Sequence, residues 1–473
     1  MLHRARRNLR AAGAVALVGG SLVAGGAPAV AAANIAIKPM LTSKFVSSKQ
    51  PPSQAQCVAA FTAPCYQPAQ IQAAYNEQPL FNSGITGTGE TIVIVDSFGS
   101  PTIQSDLATF DSTFGLPAPP SFKIITPAGK LPAWDPTNAN GDVSWAGEAT
   151  LDVEWSHTIA PGANILLVET PVSETEGTAG FPQIVKAENY VINHHLGQVI
   201  SQSFGATEPT FPSAASIYAL RTAYINALKN HVTVLAATGD EGATDYSNVA
   251  GTESYTYPTV DWPASDPLVT AVGGTQLALL PGGGERAQAD RVWNDSVDYA
   301  LNDAFDGTPG PVAEAGGGGL SSVFPRPAYQ DGVASVTGDH RGIPDISMSA
   351  ACSGLVVTYD SFPGAPAGWY VDCGTSEASP LFAGIVALTD QVAGHSLGLI
   401  NPALYTLSAD HAPGIVDVTT GNNTVEFFQN GQLVRVNGYS AGPGYDLASG
   451  VGTVDAALFV PELAAAVGGT YGG

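Results

Sequence analysis

The stretch Thr91-Ile92-Val93-Ile94-Val95-Asp96 decides the fold, because it is a continuous apolar run that ends in an acidic residue. Runs of this kind are typical of strands buried on both faces of a parallel sheet, whereas half-exposed strands alternate polar and apolar residues. Gly99 and a predicted helix over residues 101–114 follow the run. The stretch therefore predicts a parallel strand in a sheet that helices cover.

The same alternation continues downstream. Helices are predicted over residues 142–159, 182–195 and 213–231, and apolar strands over residues 164–169, 198–203 and 232–238. This order indicates an α/β fold with a mostly parallel central sheet and helices on both faces, in a single large domain over residues 57–473. Functional side chains collect at the carboxyl ends of such strands, where Asp96, Ser203 and Asp240 lie. The glycine run at residues 316–319 predicts a flexible loop.

The N-terminal 33 residues have the pattern of a secretory signal peptide. Four arginines precede an apolar run over residues 11–23, and Ala29-Val30-Ala31 supplies a small-residue cleavage site. We therefore predict a secreted, extracellular protein. Residues 34–56 are polar and contain Pro, Gln and Ser, which predicts a flexible leader and no full prodomain. No later stretch is long and apolar enough to predict a membrane span.

The composition restricts the classes of partner that the chain is expected to bind. It has 41 acidic against 17 basic residues and a formal net charge of −24, which argues against a nucleic-acid partner. A surface rich in carboxyl groups becomes less charged in acid, so it suits an acidic medium. Four cysteines in a secreted chain predict two disulfides. Their sequence neighbourhood favours the pairs Cys57–Cys65 and Cys352–Cys373 over cross-pairing.

A candidate nucleophile lies in Gly374-Thr375-Ser376, which runs into a helix of small and apolar residues with Pro380 predicted in its first turn. A helix N-terminus carries partial positive charge, which would favour an anion that develops at the Ser376 hydroxyl. Alternatively, Thr375 or Ser376 only caps a buried helix. A serine nucleophile usually needs a histidine base, and His157 is the nearest candidate.

Two carboxyl groups offer a different base. Glu148 and Asp152 stand four residues apart on the predicted helix over residues 142–159, so both side chains lie on one face. Repulsion between like charges separates their pKa values, so the pair can share a proton and act in acid, where imidazole is protonated. A solvated acidic helix face is the alternative.

Asp240 follows a predicted strand and a glycine. When protonated, its carboxyl can donate a hydrogen bond to the oxyanion of a tetrahedral intermediate. The alternative is a turn aspartate that bonds its own backbone.

Three motifs together, Glu148-x3-Asp152, Gly239-Asp240 and Gly374-Thr375-Ser376-x3-Pro380, resemble in their order the sedolisin family of serine-carboxyl peptidases. The resemblance covers residues 66–465 and implies a subtilisin-like fold. It also implies one role for each of four residues: nucleophile for Ser376, general base for Glu148, its partner for Asp152, and oxyanion-hole acid for Asp240.

The same resemblance implies three residues of the substrate site. Asp96 matches an acid that extends the Glu–Asp hydrogen-bond network. The segment at residues 201–205 is similar to a Ser-x-Ser-Trp-Gly strand that lines the cleft, with Phe204 in place of Trp. Asp261 matches an acid at the S1 pocket of some members.

Near the C-terminus, Asp417-Val418 and Gly442-Pro443-Gly444-Tyr445-Asp446 supply carboxylate and carbonyl oxygens, the hard ligands that Ca²⁺ prefers. On spacing alone, residues in this pattern more often form a Gly-rich turn than a metal site. The family resemblance implies one structural Ca²⁺ with five ligand residues: Asp417, Val418, Gly442, Gly444 and Asp446.

Two features depart from the family pattern. Members usually carry a long prodomain, in place of which only the short leader is expected here. Glu241 follows Asp240 where a small Ser is common, and a second carboxyl could raise the proton affinity of the first.

These patterns predict a monomeric serine-carboxyl endopeptidase that acts in acid on protein or peptide substrates, with no nucleic-acid or membrane partner. Two alternatives stay open. A histidine-dependent subtilisin-type peptidase could use Asp96 and His157, and a non-catalytic secreted binding protein could share the fold.

Overall fold

The computed structural model describes Pro39, residues 41–305 and residues 307–468, so the predicted signal peptide lies outside the described residues. The helices of this part of the chain are α1 (Gln54–Phe61), α2 (Pro68–Ala74), α3 (Gln78–Asn82), α4 (Ile103–Phe114), α5 (Asp142–Ile159), α6 (Phe181–Asn193), α7 (Ala214–Leu220), α8 (Thr222–Lys229), α9 (Tyr299–Phe305), α10 (Ala334–Thr337), α11 (Thr375–Ala393), α12 (Asn401–Ala409) and α13 (Ala456–Gly468).

The strands are β1 (Thr42–Ser47), β2 (Cys65–Tyr66), β3 (Thr91–Ser97), β4 (Phe122–Ile125), β5 (Asn164–Thr170), β6 (Val199–Gln202), β7 (Ala206–Thr207), β8 (Thr233–Ala237), β9 (Asp261–Trp262), β10 (Thr270–Gln276), β11 (Arg291–Val292), β12 (Gly319–Pro325), β13 (His340–Ile343), β14 (Ile346–Ser349), β15 (Leu355–Asp360), β16 (Gly368–Cys373), β17 (Ile415–Val416), β18 (Val425–Gln429), β19 (Gln432–Val436) and β20 (Thr453–Val454).

The central sheet has eight strands in the order β11-β10-β8-β6-β3-β5-β4, with β14 also paired to β10. Only β11 runs antiparallel to its neighbour. The predicted mostly parallel sheet is therefore confirmed. Because the chain crosses over between parallel strands, the carboxyl ends of β3, β6 and β8 meet at one edge.

Strand β3 shows why its sequence is continuously apolar. Ile92 and Ile94 belong to one hydrophobic core, and Val93 and Val95 belong to another on the opposite face. Successive side chains of a strand point to opposite faces, so a strand between two cores needs apolar residues at every position. All four side chains are fully buried.

Helices α5 and α11 cover the face of the sheet to which Ile92 and Ile94 point, and they pack directly on each other. Gly384 of α11 permits the close approach, because a Cβ at this position would lie 2.5 Å from the Cβ of Ile159 on α5. Helices α6, α7 and α8 belong to the core on the other face. The α5–α11 pair brings the acidic motif and the serine motif to the same region.

Two local predictions need correction. The helix predicted over residues 213–231 is two helices, α7 and α8, and Arg221 at their junction forms an ion pair with Asp266 at 2.5 Å. The glycine run at residues 316–319 is buried and packed rather than flexible. A Cβ on Gly317 would clash with the carbonyl of Thr238, so close packing explains the glycine there.

The leader predicted over residues 34–56 is not a flexible segment where the structure describes it. Residues Thr42–Ser47 form β1, which pairs antiparallel with β16 in a separate four-stranded sheet of order β1-β16-β15-β2. Helix α1 begins at Gln54 after a capping box made by Ser53 and Gln56. The backbone N–H and carbonyl groups of β1 thus pair with β16, which lies more than 300 positions later in the sequence.

The predicted disulfide pairs Cys57–Cys65 and Cys352–Cys373 are both confirmed. The second joins the region after β14 to the last residue of β16 and so braces the strand that leads into Gly374. Among the residues that the structure describes, no helix is both long and apolar enough to cross a membrane.

Candidate active site

Helix α5 carries Glu148 and Asp152 on one face and buries both side chains completely. The helix contacts β3, α4 and α11, so little of it faces solvent. The alternative of a solvated acidic helix face is therefore wrong. Carboxyl groups buried to this degree must be protonated, paired or hydrogen-bonded, because an isolated buried charge is very costly.

Ser376 is the second residue of α11, directly after the turn that follows β16. Gly374 in this turn has a φ of 128°, which is strained for other residues, and its N–H donates to the carbonyl of Ala350 at 2.8 Å. Pro380 is the sixth residue of α11, not a first-turn residue as predicted. It therefore lacks the N–H that would donate to the carbonyl of Ser376 within the helix.

The structure brings Ser376 and Glu148 together. The Ser376 hydroxyl lies close to the Glu148 carboxyl, and this neighbour lowers the pKa of Glu148. Burial has the larger and opposite effect and raises that pKa well above its ordinary value, with further increases from Asp152 and Asp96. Because the three carboxyl groups interact, they share protons and titrate as a unit rather than singly.

Asp152 and Asp96 extend this group towards the sheet. Asp152 Oδ1 accepts a hydrogen bond from the Ser203 hydroxyl at 2.8 Å, just beyond the end of β6. Asp96 lies opposite Glu169 in the pairing of β3 with β5. Burial, followed by the charge of Glu169, raises the pKa of Asp96 to about 8, and burial raises that of Glu169 to about 7.

Glu169 is a member of this group that sequence reasoning missed. It ends the predicted strand over residues 164–169, so the rule that singled out Asp96 and Asp240 could have found it. Gly99 makes room for it, since a Cβ on Gly99 would overlap the Glu169 carboxyl. We call Glu148, Asp152, Asp96 and Glu169 the site cluster.

Asp240 follows β8 and reaches the start of α11. Its Oδ1 accepts hydrogen bonds from the backbone N–H of Thr375 at 2.7 Å and from the Thr375 hydroxyl at 2.8 Å. Burial and then the charge of Glu241 raise the pKa of Asp240 well above its ordinary value. A carboxyl that accepts through one oxygen and keeps its proton on the other can donate towards a developing oxyanion near Ser376.

A cavity of about 580 Å³ opens beside these residues. It is bordered by Asp240, by Gly147 next to Glu148, and by Gly205 after β6. Further carboxyl groups line it, namely Glu174, Glu176, Glu241, Asp245 and Asp360. Strand β1 contributes Thr42, Ser43 and Lys44 to the lining. The cavity is large enough for several side chains of a peptide and is strongly acidic.

None of the three predicted substrate residues lines this cavity, and Asp96 belongs instead to the site cluster. Phe204 is 1% exposed and packs in the core against Phe181, with 6.4 Å between the ring centres, while its neighbour Gly205 borders the cavity. Asp261 is also buried and lies beside Asp245, which does line the cavity. Asp261 thus lies one layer behind the wall of the cavity, and Phe204 supports the strand rather than facing a ligand.

His157 lies at the far end of α5 from Glu148. Its Nε2 is 2.7 Å from the carbonyl oxygen of Pro117 and 3.4 Å from Asp111. Burial lowers the pKa of His157 to about 4 and raises that of Asp111 to about 7, which disfavours an ion pair between them. These contacts give His157 a structural role away from Ser376.

The predicted calcium ligands occupy two neighbouring segments. The N–H of Gly444 donates to Asp417 at 2.8 Å, and the N–H of Gly442 donates to Asp446 at 3.0 Å. Both carboxylates therefore face one short loop, beside the carbonyl of Val418, which accepts from Ser449 at 3.4 Å. Two carboxylates and nearby backbone carbonyls form an oxygen-rich donor set that fits the chemistry of Ca²⁺.

Comparison with known proteins identifies the family of this chain. The sequence profile of the Subtilase family matches residues 138–406, which is more than half of the chain. Kumamolisin from Bacillus sp. (strain MN-32) is 32% identical over 397 residues, which cover 82% of this chain and 62% of kumamolisin. The chain belongs to the sedolisin family.

Further relatives agree with this assignment. Sedolisin from Pseudomonas sp. (strain 101) is 29% identical over 410 residues, which cover 86% of this chain and 62% of that protein. The solved structure of Pseudomonas sedolisin, described as a serine-carboxyl proteinase in complex with two molecules of pseudo-iodotyrostatin, superposes with a TM-score of 0.67 at 27% identity. The match covers 84% of this chain and 97% of that structure, which confirms the subtilisin-like fold. The chain spans 62% of the length of the curated relatives kumamolisin and sedolisin.

Proposed function

We propose that this member of the sedolisin family is a secreted serine-carboxyl peptidase that hydrolyses protein or peptide substrates in acid, as a monomer. The observation that carries the proposal is the position of the Ser376 hydroxyl beside Glu148, at the start of α11 and next to a network of buried carboxyl groups. A serine at a helix N-terminus becomes a nucleophile when a base accepts its proton, and Glu148 is the group in position to do so.

In the proposed reaction, Glu148 takes the hydroxyl proton while the Ser376 oxygen attacks the peptide carbonyl carbon. Asp240, protonated, donates a hydrogen bond to the resulting oxyanion. The tetrahedral intermediate collapses as the C–N bond breaks, and the proton held by Glu148 passes to the leaving amine. Water then attacks the acyl-enzyme with Glu148 again as base, which releases the acid product and restores Ser376.

Asp152 and Asp96 support this base because they share protons with it. The network needs one negative charge for Glu148 to accept a proton, and the nearby Ser376 hydroxyl, which lowers the pKa of Glu148, favours that charge there. Asp240 must stay protonated to donate, so activity should fall as pH rises towards neutrality. The burial of His157 against Pro117 and Asp111 speaks against the histidine-dependent alternative.

The test is casein hydrolysis at pH 4 and pH 7 by the parent protein and by Ser376→Ala. We expect proteolysis at pH 4 that weakens at pH 7, and a loss of at least about 10³-fold in kcat for Ser376→Ala. Ser156→Ala, another buried serine, which donates to the Val153 carbonyl at 3.2 Å on α5, is the folding control. Full activity of Ser376→Ala would refute the serine mechanism, and absence of turnover in the folded parent protein would favour a binding protein.

We also propose that Asp417, Val418, Gly442, Gly444 and Asp446 hold one structural Ca²⁺. The ion would neutralise the two aspartates that face this loop. We expect about one calcium per chain in the purified protein and a lower Tm after chelation, since an ion that binds only the folded state stabilises it.

Asp417→Asn should abolish the calcium dependence of Tm, whereas Asp410→Asn, an exposed aspartate just after α12, should not. A protein without calcium whose Tm ignores the chelator would refute this site.

A further inference from the structure

One side of the protein has no exposed carboxyl groups, although the chain as a whole is strongly acidic. Helices α6, α7 and α8 and the segments between them, residues 181–231, contain two acids, Glu188 and Glu208, and both are buried. The same segment has three lysine or arginine residues and three histidines. In a chain with 41 acidic and 17 basic residues, this segment departs from the average composition, so the net charge of the whole chain does not describe this side of the molecule.

Helix α6 presents a stripe of exposed side chains on this side. Lys186, Tyr190 and His194 are exposed and follow one another at intervals of four residues, so they lie on one face of the helix and of its C-terminal cap. The rings of Tyr190 and His194 stack with 4.0 Å between their centres. The stripe therefore joins a cation, an aromatic ring and an imidazole, which gains positive charge in acid.

Edge strand β4 extends the stripe with further lysines. Lys123 is exposed, and in the parallel pairing of β4 with β5 it lies opposite Leu166. Leu166 belongs to the core under α6, α7 and α8, so Lys123 lies on the same side of the sheet as these helices. The Nζ of Lys186 donates to the carbonyl of Ala128, after β4, at 3.1 Å, and the exposed Lys130 is two residues further along the chain. The lysines of α6 and β4 therefore lie side by side.

Helix α8 adds apolar side chains and one more lysine. Ile225 and Leu228 are each 39% exposed, and Lys229 is exposed beside them on the same face of the helix. Helix α8 packs on α6, where the side-chain amide of Asn226 donates to that of Asn193 at 2.9 Å. We use the name basic face for seven exposed residues: Lys123, Lys186, Tyr190, His194, Ile225, Leu228 and Lys229.

The acidic groups packed under the basic face add no exposed negative charge to it. Glu188 of α6 is buried near Tyr224, and burial raises the pKa of Glu188 to about 8, so this carboxyl is neutral in acid. Asp266 is buried and forms its ion pair with Arg221. The lysines of the basic face therefore have no exposed acid on α6, α7 or α8 to neutralise them.

Exposed lysines mixed with exposed apolar and aromatic side chains are typical of surfaces that bind anionic bilayers, because the cations attract the headgroups and the apolar groups enter the interface. A soluble polyanion would bind through the cations and would gain nothing from Ile225 and Leu228. We propose that the basic face is a docking surface for lipid bilayers that contain anionic lipids. Peripheral binding of this kind needs no membrane-spanning segment. No residue of the basic face lines the cavity that Asp240 borders, so a docked protein keeps that cavity open to substrates.

The test is co-sedimentation of the full chain with lipid vesicles at pH 5. It uses a Ser376→Ala background, so the result does not depend on the proposed peptidase function. Vesicles of equal parts phosphatidylglycerol and phosphatidylcholine are compared with vesicles of phosphatidylcholine alone. We expect binding to the anionic vesicles only, and we expect a loss of at least about tenfold in affinity on going from low salt to about 0.5 M NaCl.

A pair of charge variants locates the binding surface. Lys186→Gln combined with Lys229→Gln should weaken binding to anionic vesicles about tenfold or more, since each lysine near an anionic surface contributes to the attraction. Lys49→Gln combined with Arg435→Gln removes the same net charge at exposed positions outside the basic face and should change binding less than about twofold. Equal binding to both vesicle types, binding to neither, or equal losses in the two double variants would overturn the proposal.

A pair of apolar variants separates a bilayer from a soluble polyanion. Ile225→Ser combined with Leu228→Ser should weaken vesicle binding severalfold and leave the binding of inorganic polyphosphate unchanged. The control is Phe428→Ser combined with Leu433→Ser, which removes two exposed apolar side chains that lie opposite each other in the β18–β19 hairpin. Circular dichroism shows that each variant folds. If the folded Ile225→Ser and Leu228→Ser variant binds vesicles as the parent does, the occupant is a soluble polyanion and the bilayer proposal is wrong.

Discussion

Helix α5 meets buried carboxyl groups on two sides, and the two sets differ in how their oxygens are held. The site cluster faces β3 and α11. A second set, which we call the rear cluster, lies between α4, α5 and the β15–β16 strands and consists of Asp106, Glu154, Asp360 and Asp372. All eight side chains are almost or completely buried, so burial alone does not distinguish a catalytic acid from a structural one.

Donors from fixed neighbours surround the rear cluster. Asp106 accepts from the Thr102 hydroxyl at 2.6 Å and from the N–H of Ser361 at 3.1 Å. Glu154 accepts from the N–H of Tyr359 at 3.1 Å. Such bonds hold Asp106 and Glu154 in place and offset part of the cost of their burial, whereas one oxygen each of Glu154, Asp360 and Asp372 has no hydrogen-bond partner among the described residues. The bonds of Asp106 and Glu154 tie β15 and the residue after it to α4 and α5.

The site cluster has few donors of this kind. Among the described residues, neither oxygen of Asp96 has a hydrogen-bond partner, and Asp152 is bonded only at Oδ1. Neither oxygen of Glu148 has a hydrogen-bond partner among these residues either, although the nearby hydroxyl of Ser376, the candidate nucleophile, lowers its pKa. Acids that lack fixed donors must keep or share protons, which is the property that a base in an acid-acting enzyme needs. The comparison indicates that the donor environment, rather than burial, marks the active group.

The largest expected effect comes from replacing one glutamate in each cluster and comparing the two variants. Glu148→Gln keeps the size of the side chain and a carbonyl that can accept from Ser376, but it cannot take a proton. We expect kcat/KM to fall about 10²–10⁴-fold. Glu154→Gln, two turns further along α5, keeps an acceptor for the N–H of Tyr359 and should leave kcat/KM near the parent value. Peptide hydrolysis at pH 4 measures both.

Circular dichroism of the two variants shows whether each one folds. Comparable losses in the two folded variants would erase the distinction between the clusters. A fully active Glu148→Gln would remove the carboxylate base from the mechanism.

Asp240 has fixed hydrogen-bond donors, as the rear cluster has, and also lies at the candidate active site. Replacing it should change activity less than Glu148→Gln does, but it should change the pH profile as well. Its Oδ1 is held by Thr375, as in the rear cluster, but its carboxyl also borders the cavity. In Asp240→Asn, the amide oxygen can still accept from Thr375 and the amide N–H can donate without titrating. We expect a moderate loss at pH 4 and a weaker decline of kcat towards neutral pH, while Asp240→Ala should lose about 10²–10³-fold. A pH profile of Asp240→Asn that parallels the parent profile would assign the decline to another group.

Sequence reasoning found the parts of this site that follow from local periodicity. Helix α5 has the predicted bounds because its residues form one uninterrupted helical pattern, which fixes Glu148 and Asp152 on one face. The rear cluster and β1 were not predicted, and the reason is that they depend on long-range pairing. Asp372 and Ser43 meet through strand pairing across more than 300 residues, and no local pattern carries that register.

Two other errors came from residues whose meaning depends on packing. The glycine run at 316–319 looked like a mobile loop, whereas Gly317 is needed because the chain passes close to Thr238. Phe204 replaces a residue expected to line the cleft, yet its ring turns into the core against Phe181. In both places the sequence pattern was compatible with more than one tertiary environment, and only the packed neighbours decide between them.

The smallest expected effect concerns stability and tests the rear cluster alone. Burial raises the pKa of Asp372 from 3.8 to about 7. Below pH 4 this carboxyl is protonated in both folded and unfolded chains. Between about pH 4 and pH 7 the unfolded chain loses the proton more readily than the folded one, so the folded state loses stability as pH rises through this range. The increase in the pKa of Asp372 corresponds to a loss of at most about 4 kcal/mol in the free energy of unfolding.

Asp372→Asn removes this titration and leaves an amide that can accept from the Thr358 hydroxyl, as the carboxyl does. We therefore expect the drop in Tm between pH 4 and pH 7 to be smaller in Asp372→Asn than in the parent protein. Both are compared on a Ser376→Ala background to prevent self-digestion. Asp303→Asn, at an exposed position of α9, should keep the parent pH dependence. If Asp372→Asn loses as much Tm as the parent, the proton on this carboxyl does not contribute to stability, and the rear cluster must then be held by its hydrogen bonds regardless of charge.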